Sequence, residues 1–229
     1  MDDGGCLWQL VVACGNLGAV QFALGRSMVT LQVSSGRYES YAHKLLWEGA
    51  QRHLQLAANN PDDSWFLHLS GALLAAAAFE AYLNYVGGEM LPHIWEEERT
   101  FFSQPDYRGT AGKLKRIAEE IHWTLPRRDR QPLSGVVELQ ALRDKLVHAR
   151  LHRVDWEHTH RADQLPPFPR GWLQAEAPTK KVVRLIARTE EFAVLLHNEI
   201  RRSPFSACVL GSHPLLGMLG FGSHEARAA

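Results

Sequence analysis

Arg143 and His148, separated by four residues in Leu139-Gln140-Ala141-Leu142-Arg143-Asp144-Lys145-Leu146-Val147-His148, are the pair in this chain best suited to chemistry. A guanidinium can bind two oxygens at once and stabilise charge that develops on them. An imidazole accepts and returns protons near neutral pH. Five steps along a straight helix rotate by about 500°, which leaves Arg143 and His148 roughly 140° apart. One chain therefore does not aim both at one point. Asp144 and His148, at i and i+4, do share a face, so Asp144 could orient His148 or its neighbour Arg143. Two arrangements reconcile the mismatch: the helix loosens near His148, or two copies of the chain meet across a two-fold axis.

Glu80 falls on the same face as Leu73, Ala77 and Leu83, with Asn84 one turn further on. A carboxylate placed there is partly buried and wants a partner. Two roles fit it: support for Arg143, or an internal salt bridge without a part in chemistry. His148 and His152 have the i, i+4 spacing of helical zinc ligands, with His158, His160, Asp155 and Asp163 following. Those later residues lie in a charged loop without cysteines, so no metal and no cofactor are expected. Trp156 and Trp172, near Arg161 and Arg170, could stack on splayed bases, although loop aromatics more often pin a loop to the core. No phosphate-binding glycine loop, GxSxG elbow or Cys–His pair points to another enzyme class.

The elements that must position these residues are mostly helices. Residues 7–13, 19–24 and 28–33 read as strand-like pieces separated by Gly15-Asn16 and Gly25-Arg26. From Gly36 the period changes. Ala42, Leu46, Ala50, Leu54 and Ala57 form an i, i+4 ladder that Asn59-Asn60-Pro61 stops. A second helix follows Asp62 or Asp63 as cap, with Phe66, Leu69, Leu73, Ala76, Leu83 and Val86 inward and Gly87-Gly88 as its end. Its small residues 75–78 let a neighbour approach closely, which makes it central. A shorter helix fits residues 111–122, with Leu114, Ile117, Ala118 and Ile121 inward. The motif helix begins near Ser134 and carries the stripe Leu139, Leu142, Leu146, Ala149. Residues 154–177 are loop-like, and residues 178–202 form a long amphipathic helix with Val182, Leu185, Phe192, Leu196 and Ile200 inward. The expected architecture is mainly α: a bundle of four to five helices over residues 36–203, a β-like extension over 1–35 and a loose tail over 204–229. There is no internal repeat.

At 229 residues, 45% of them hydrophobic and 22% charged, the chain suits one buried core and is not disordered as a whole. Net charge is zero but uneven: residues 1–107 hold 5 Lys/Arg against 12 Asp/Glu, and residues 108–188 hold 17 against 9. A basic half can attract phosphate backbones locally. Three cysteines without a CxxC pair fit a reducing compartment, the cytoplasm. No apolar run approaches the ~18–20 residues that span a bilayer. Val11-Val12-Ala13-Cys14 matches a lipobox, yet Asp2 and Asp3 precede it with no Lys or Arg, so a buried strand is expected instead.

The Arg143–His148 spacing resembles the motif of the HEPN superfamily, an Arg and a His separated by four to six residues. Ala77-Ala78-Phe79-Glu80-Ala81-Tyr82-Leu83-Asn84 is similar to the helix that pairs with the motif helix in many members. Gly112-Lys113-Leu114 sits where such proteins often have a short intervening helix. The likeness covers roughly residues 40–200. It implies a homodimer with both motif helices lining one cleft, and a metal-independent endoribonuclease of stress response or phage defence. In that reading His148 moves protons, Arg143 stabilises the phosphate, Asp144 orients them, and Glu80 and Asn84 stand behind. RNA is the implied partner, contacted also by Lys145, Arg150 and Arg153, and a cognate antitoxin or defence-system protein is a further one. One branch of the family carries a modified Tyr two residues after the His. Arg150 stands there, so regulation by that modification is not expected. The rival expectation is a catalytically inactive HEPN-like module that binds a partner protein or nucleic acid.

Overall fold

The computed structural model describes residues 21–24, 27–30, 34–60, 64–148, 176–209, 211–217 and 220–226. The expectations placed on residues 7–13, on Asp62 and Asp63, on Arg150 and Arg153, and on the histidines, acids and tryptophans of 152–172 lie outside them. The chain divides into two compact units, residues 1–39 with 220–229, and residues 40–219. In the first, β1 (Gln21–Leu24) and β2 (Ser27–Thr30) form an antiparallel pair across the Gly25-Arg26 turn position. β3 (Ser34–Ser40) pairs with β4 (Gly220–Ala226).

The second unit is mainly α-helical, as the periodicity requires. Helices α1 (Ala42–Asn59), α2 (Ser64–Met90), α5 (Gly109–Glu120), α6 (Leu133–Val147) and α7 (Thr179–Arg202) build it, with two single-turn pieces, α3 (Pro92–Trp95) and α4 (Glu98–Phe101), between α2 and α5. Helix α2 packs against α1, α5, α6 and α7 and lies at the centre. It is apolar nearly all round, the pattern of a helix with neighbours on most sides. Ala75, Ala76 and Ala78 are fully buried and let those neighbours close in. Although no uninterrupted apolar run spans a membrane, α2 is long and apolar enough to do so by length and composition. His68, Glu80 and Asn84 interrupt the run without lowering its average enough. In this fold α2 is a core helix.

Several sequence expectations need correction. The buried stripe of α1 is His43, Trp47, Ala50 and Ala57, while Ala42 is exposed. Steps of four drift by about 40° each, so a strict i, i+4 ladder walks off the face that alternating steps of three and four keep. Helical backbone begins at Ala42 rather than near Gly36, because β3 continues to Ser40. Phe66, read as inward, is 62% exposed at the start of α2. Gly87-Gly88 does not end α2, which continues to Met90. A Cβ on Gly87 would lie 2.0 Å from the Trp95 ring, so the glycine makes room for an aromatic side chain inside a continuing helix. Part of the segment read as a loose tail is packed: Val209 and Leu215 are buried in the core. By contrast, Val182, Leu185, Phe192, Leu196 and Ile200 of α7 are all buried as expected.

Candidate functional site

Arg143 leaves α6 towards α2 and is held there from several sides. Its Nη2 donates to Glu80 Oε2 at 2.6 Å and to Gln140 Oε1 at 3.2 Å, and its Nη1 lies 3.2 Å from Asp144 Oδ1. Gln140 is itself anchored, since its Nε2 donates to the Ala76 carbonyl of α2 at 3.0 Å. Of the five N–H donors of a guanidinium, these contacts occupy three. Nε–H and one Nη1–H keep no partner among the described residues. The side chain is 27% exposed, so a ligand oxygen can reach it.

Glu80 turns its other oxygen to Lys113 of α5, 3.3 Å from Nζ. The Lys113 ammonium also lies 2.5 Å from Glu98 of α4. Lys113 is only 4% exposed, and an ammonium taken out of water needs such partners. Arg143, Glu80, Lys113 and Glu98 thus form one chain of ion pairs across α6, α2, α5 and α4, with Asp144 as a further carboxylate on Arg143. The two roles weighed for Glu80 meet in one geometry: it is an internal salt bridge and it fixes Arg143.

The other expected site residues are placed differently. Asn84 accepts from Trp95 Nε1 at 3.4 Å and makes no side-chain hydrogen bond to Glu80 or Arg143. Asp144 touches Arg143, and its only recorded bond with His148 runs through its carbonyl, which accepts the His148 backbone N–H at 3.0 Å. α6 ends at Val147, and His148 stands just beyond it with φ −105° and ψ 24°. Helical backbone therefore ends at His148. The His148 side chain is exposed, with no hydrogen bond or ion pair among the described residues. Lys145 pairs with Glu176. No cluster of three or more potential metal ligands occurs among the described residues.

Beside Arg143 a cleft of about 620 Å³ runs between α5 and α6. Phe79, Leu114 and Val136 are buried at its lining, and Arg108, Lys115, Arg128 and Arg143 surround them. Gly112 lets α5 start close to its own approach segment, because a Cβ there would lie 1.7 Å from the Tyr107 carbonyl oxygen. That fit sets Arg108 and the first turn of α5 at the edge of the cleft. Sequence reasoning missed Gln140, Lys113 as an ion-pair partner, and the cleft cations. Only the basic character of residues 108–188 hinted at the last.

No family model, curated protein or solved structure matches this chain. The HEPN resemblance rests on the sequence alone: the Arg143–His148 motif, residues 77–84 and residues 112–114.

Proposed function

We propose that this chain is a metal-independent endoribonuclease of HEPN type, acting as a homodimer in the cytoplasm in stress response or phage defence. The observation that carries the reading is the fixed Arg143. Glu80 and Gln140 pre-set its guanidinium at the edge of an open, cation-lined cleft, with two N–H donors left over. Holding a donor in place before substrate arrives removes reorganisation from the reaction step. His148, exposed at the end of α6, serves as the proton-transfer group. It removes the proton of a ribose 2′-hydroxyl or protonates the leaving 5′-oxygen, and the second copy of His148 supplies the other transfer. Val147, exposed at the end of α6, favours burial of that end against a second copy.

A second reading is favoured by one specific observation. Arg143 already has Glu80 and Asp144 as counter-charges, as in a structural ion-pair network. On that reading the chain is a catalytically silent HEPN-like module that binds a partner protein or nucleic acid.

Incubation with single-stranded RNA in EDTA tests the proposal. The expected result is products ending in a 2′,3′-cyclic phosphate, together with a dimer in light scattering at micromolar concentration. Cleavage abolished by the chelator and restored by zinc or magnesium overturns metal independence. Intact RNA in every condition leaves the binding module.

A further inference from the structure

The cleft between α5 and α6 has two chemistries side by side. Its wall is apolar, with Val137 exposed and Leu125 half-buried over the buried Phe79, Leu114 and Val136. Its surround is cationic, with four basic side chains against the single acid Asp144. Two of the four are already committed: Arg143 to Glu80, and Lys115 to Glu119 at 3.8 Å. Arg108 and Arg128 are exposed and carry no ion pair among the described residues. Their charge is unspent. They stand at the same cleft as Gly109, Thr110 and Ala111, the first turn of the twelve-residue helix α5, whose amide end favours an anion.

An apolar wall beside unspent cations matches a flat, weakly polar ring joined to a phosphate. The volume lies within the ~300–1,000 Å³ typical of sites for small organic groups. A concave site of this kind admits a base that has left its stack, which single-stranded RNA offers and a duplex does not. We infer that the α5–α6 cleft holds one unstacked nucleotide of single-stranded RNA, its base against Leu125 and Val137 and its phosphate on Arg108 and Arg128. The inference rests on the reading of RNA as substrate. It adds a subsite that places the neighbouring phosphodiester beside Arg143, and it makes these cleft residues the source of any base preference.

The test measures binding of a short fluorescein-labelled oligoribonucleotide by anisotropy in EDTA, using the full-length His148→Ala protein so that the probe stays intact. In that background the double substitution Arg108→Glu with Arg128→Glu should weaken binding at least ~10-fold at low salt. It should also flatten the plot of log K against log salt by about 1.4, the loss of two phosphate contacts to a single strand. Ala141→Trp, at an exposed position that lines the cleft, fills the space without changing charge. It should weaken binding while leaving the salt slope intact. Circular dichroism of each variant confirms the fold.

Binding by the double variant equal to the parent overturns the subsite, and so does equal competition by duplex RNA. Failure of the parent to bind any single strand below about 100 µM, the weak end of non-specific nucleic-acid binding, overturns it as well. A protein that binds through the cleft and never cuts keeps the subsite and loses the nuclease. A protein that cuts, and whose cleft variants bind normally, does the reverse.

Discussion

Polar groups meet the helical core on two sides of the same unit, and the two sides treat them in opposite ways. On the α5–α6 side, Glu80, Lys113, Glu98 and Arg143 pair in sequence, and Arg143 stays open to an incoming ligand. Where α1, α2 and α7 meet, the polar groups are buried, and burial disfavours their charged forms. Tyr82 is fully buried, and its hydroxyl donates to His197 Nδ1 at 3.1 Å, while His197 Nε2 donates to the Gly211 carbonyl at 3.2 Å. His43 stacks on the Tyr85 ring at 4.9 Å between centroids, and burial pushes its pKa down to about 4. Burial also lowers His197 and Lys44 and raises the Tyr82 phenol. Little space remains between these side chains, so they serve packing and uniqueness rather than a ligand. A cluster of buried histidines and tyrosines looks more like an active centre in sequence than an Arg–Glu pair does. Here the open side, with ordinary groups in an accessible cleft, is the better candidate.

Substitutions can break this contrast. The largest expected effect is at the exposed end of α6. His148→Ala should lower single-turnover cleavage by ~10²–10⁴-fold, the usual contribution of an acid–base group, while RNA binding stays near parental. Arg143→Ala should lower both, because a charge-assisted contact holds substrate as well as transition state. Parental cleavage by His148→Ala removes the nuclease reading's main support.

Acid should find the buried side next. Between pH ~6.5 and about 4 the unfolded chain protonates His43 and the folded chain does not. Stability present above that window therefore drains away as the pH falls through it, by about 3 kcal/mol for a shift of this size. Lys44, Tyr82, Tyr85 and His197 surround the ring, and none of them is an acid that could hold the imidazolium. Urea titrations at pH 7 and pH 5 read this out, and equal midpoints contradict it.

Lys113→Met tests the open side's own architecture. It removes the ammonium between Glu80 and Glu98, and should cost about 2 kcal/mol, less than for a fully buried pair because both carboxylates are partly exposed. Cleavage should fall too, since Glu80 loses one of its two anchors. The smallest effect belongs to Tyr82→Phe, which leaves His197 Nδ1 without its donor at a cost of about 1 kcal/mol. RNA cleavage should not change. A fall in activity with Tyr82→Phe alone would join the two sides functionally and undo the distinction.

The legible part of the sequence was whatever repeats along one helix. α7 shows its buried face because five large apolar residues recur at helical spacing. The Glu80–Arg143 pairing was foreseeable because each residue sits at the edge of an apolar face and wants a partner. α3 and α4 were not, since four-residue helices show no period. Gln140 and Lys113 escaped for another reason. Their roles come from contacts across helices, to the Ala76 carbonyl and to two carboxylates from different elements, and spacing along one chain carries no trace of those. The packed Val209 and Leu215 sit in a segment broken by Gly and Pro, where no helical or strand period marks them.

The distance along the chain between the Arg143 guanidinium and the Glu80 carboxylate has a consequence in time. α1 and α2 are adjacent in sequence and share the largest helix–helix contact, so their pairing closes only a short loop. The Arg143–Glu80 bond joins residues 63 apart and can form only after α6 has docked on α2. We expect α1 and α2 to gain protection early in refolding and the α6 amides later, so that a nascent or half-folded chain carries its basic segment without a set guanidinium. Pulsed hydrogen exchange during refolding checks the order, and simultaneous protection of α2 and α6 contradicts it. On the proposed nuclease reading, the chain stays inert until α6 docks and sets the Arg143 guanidinium.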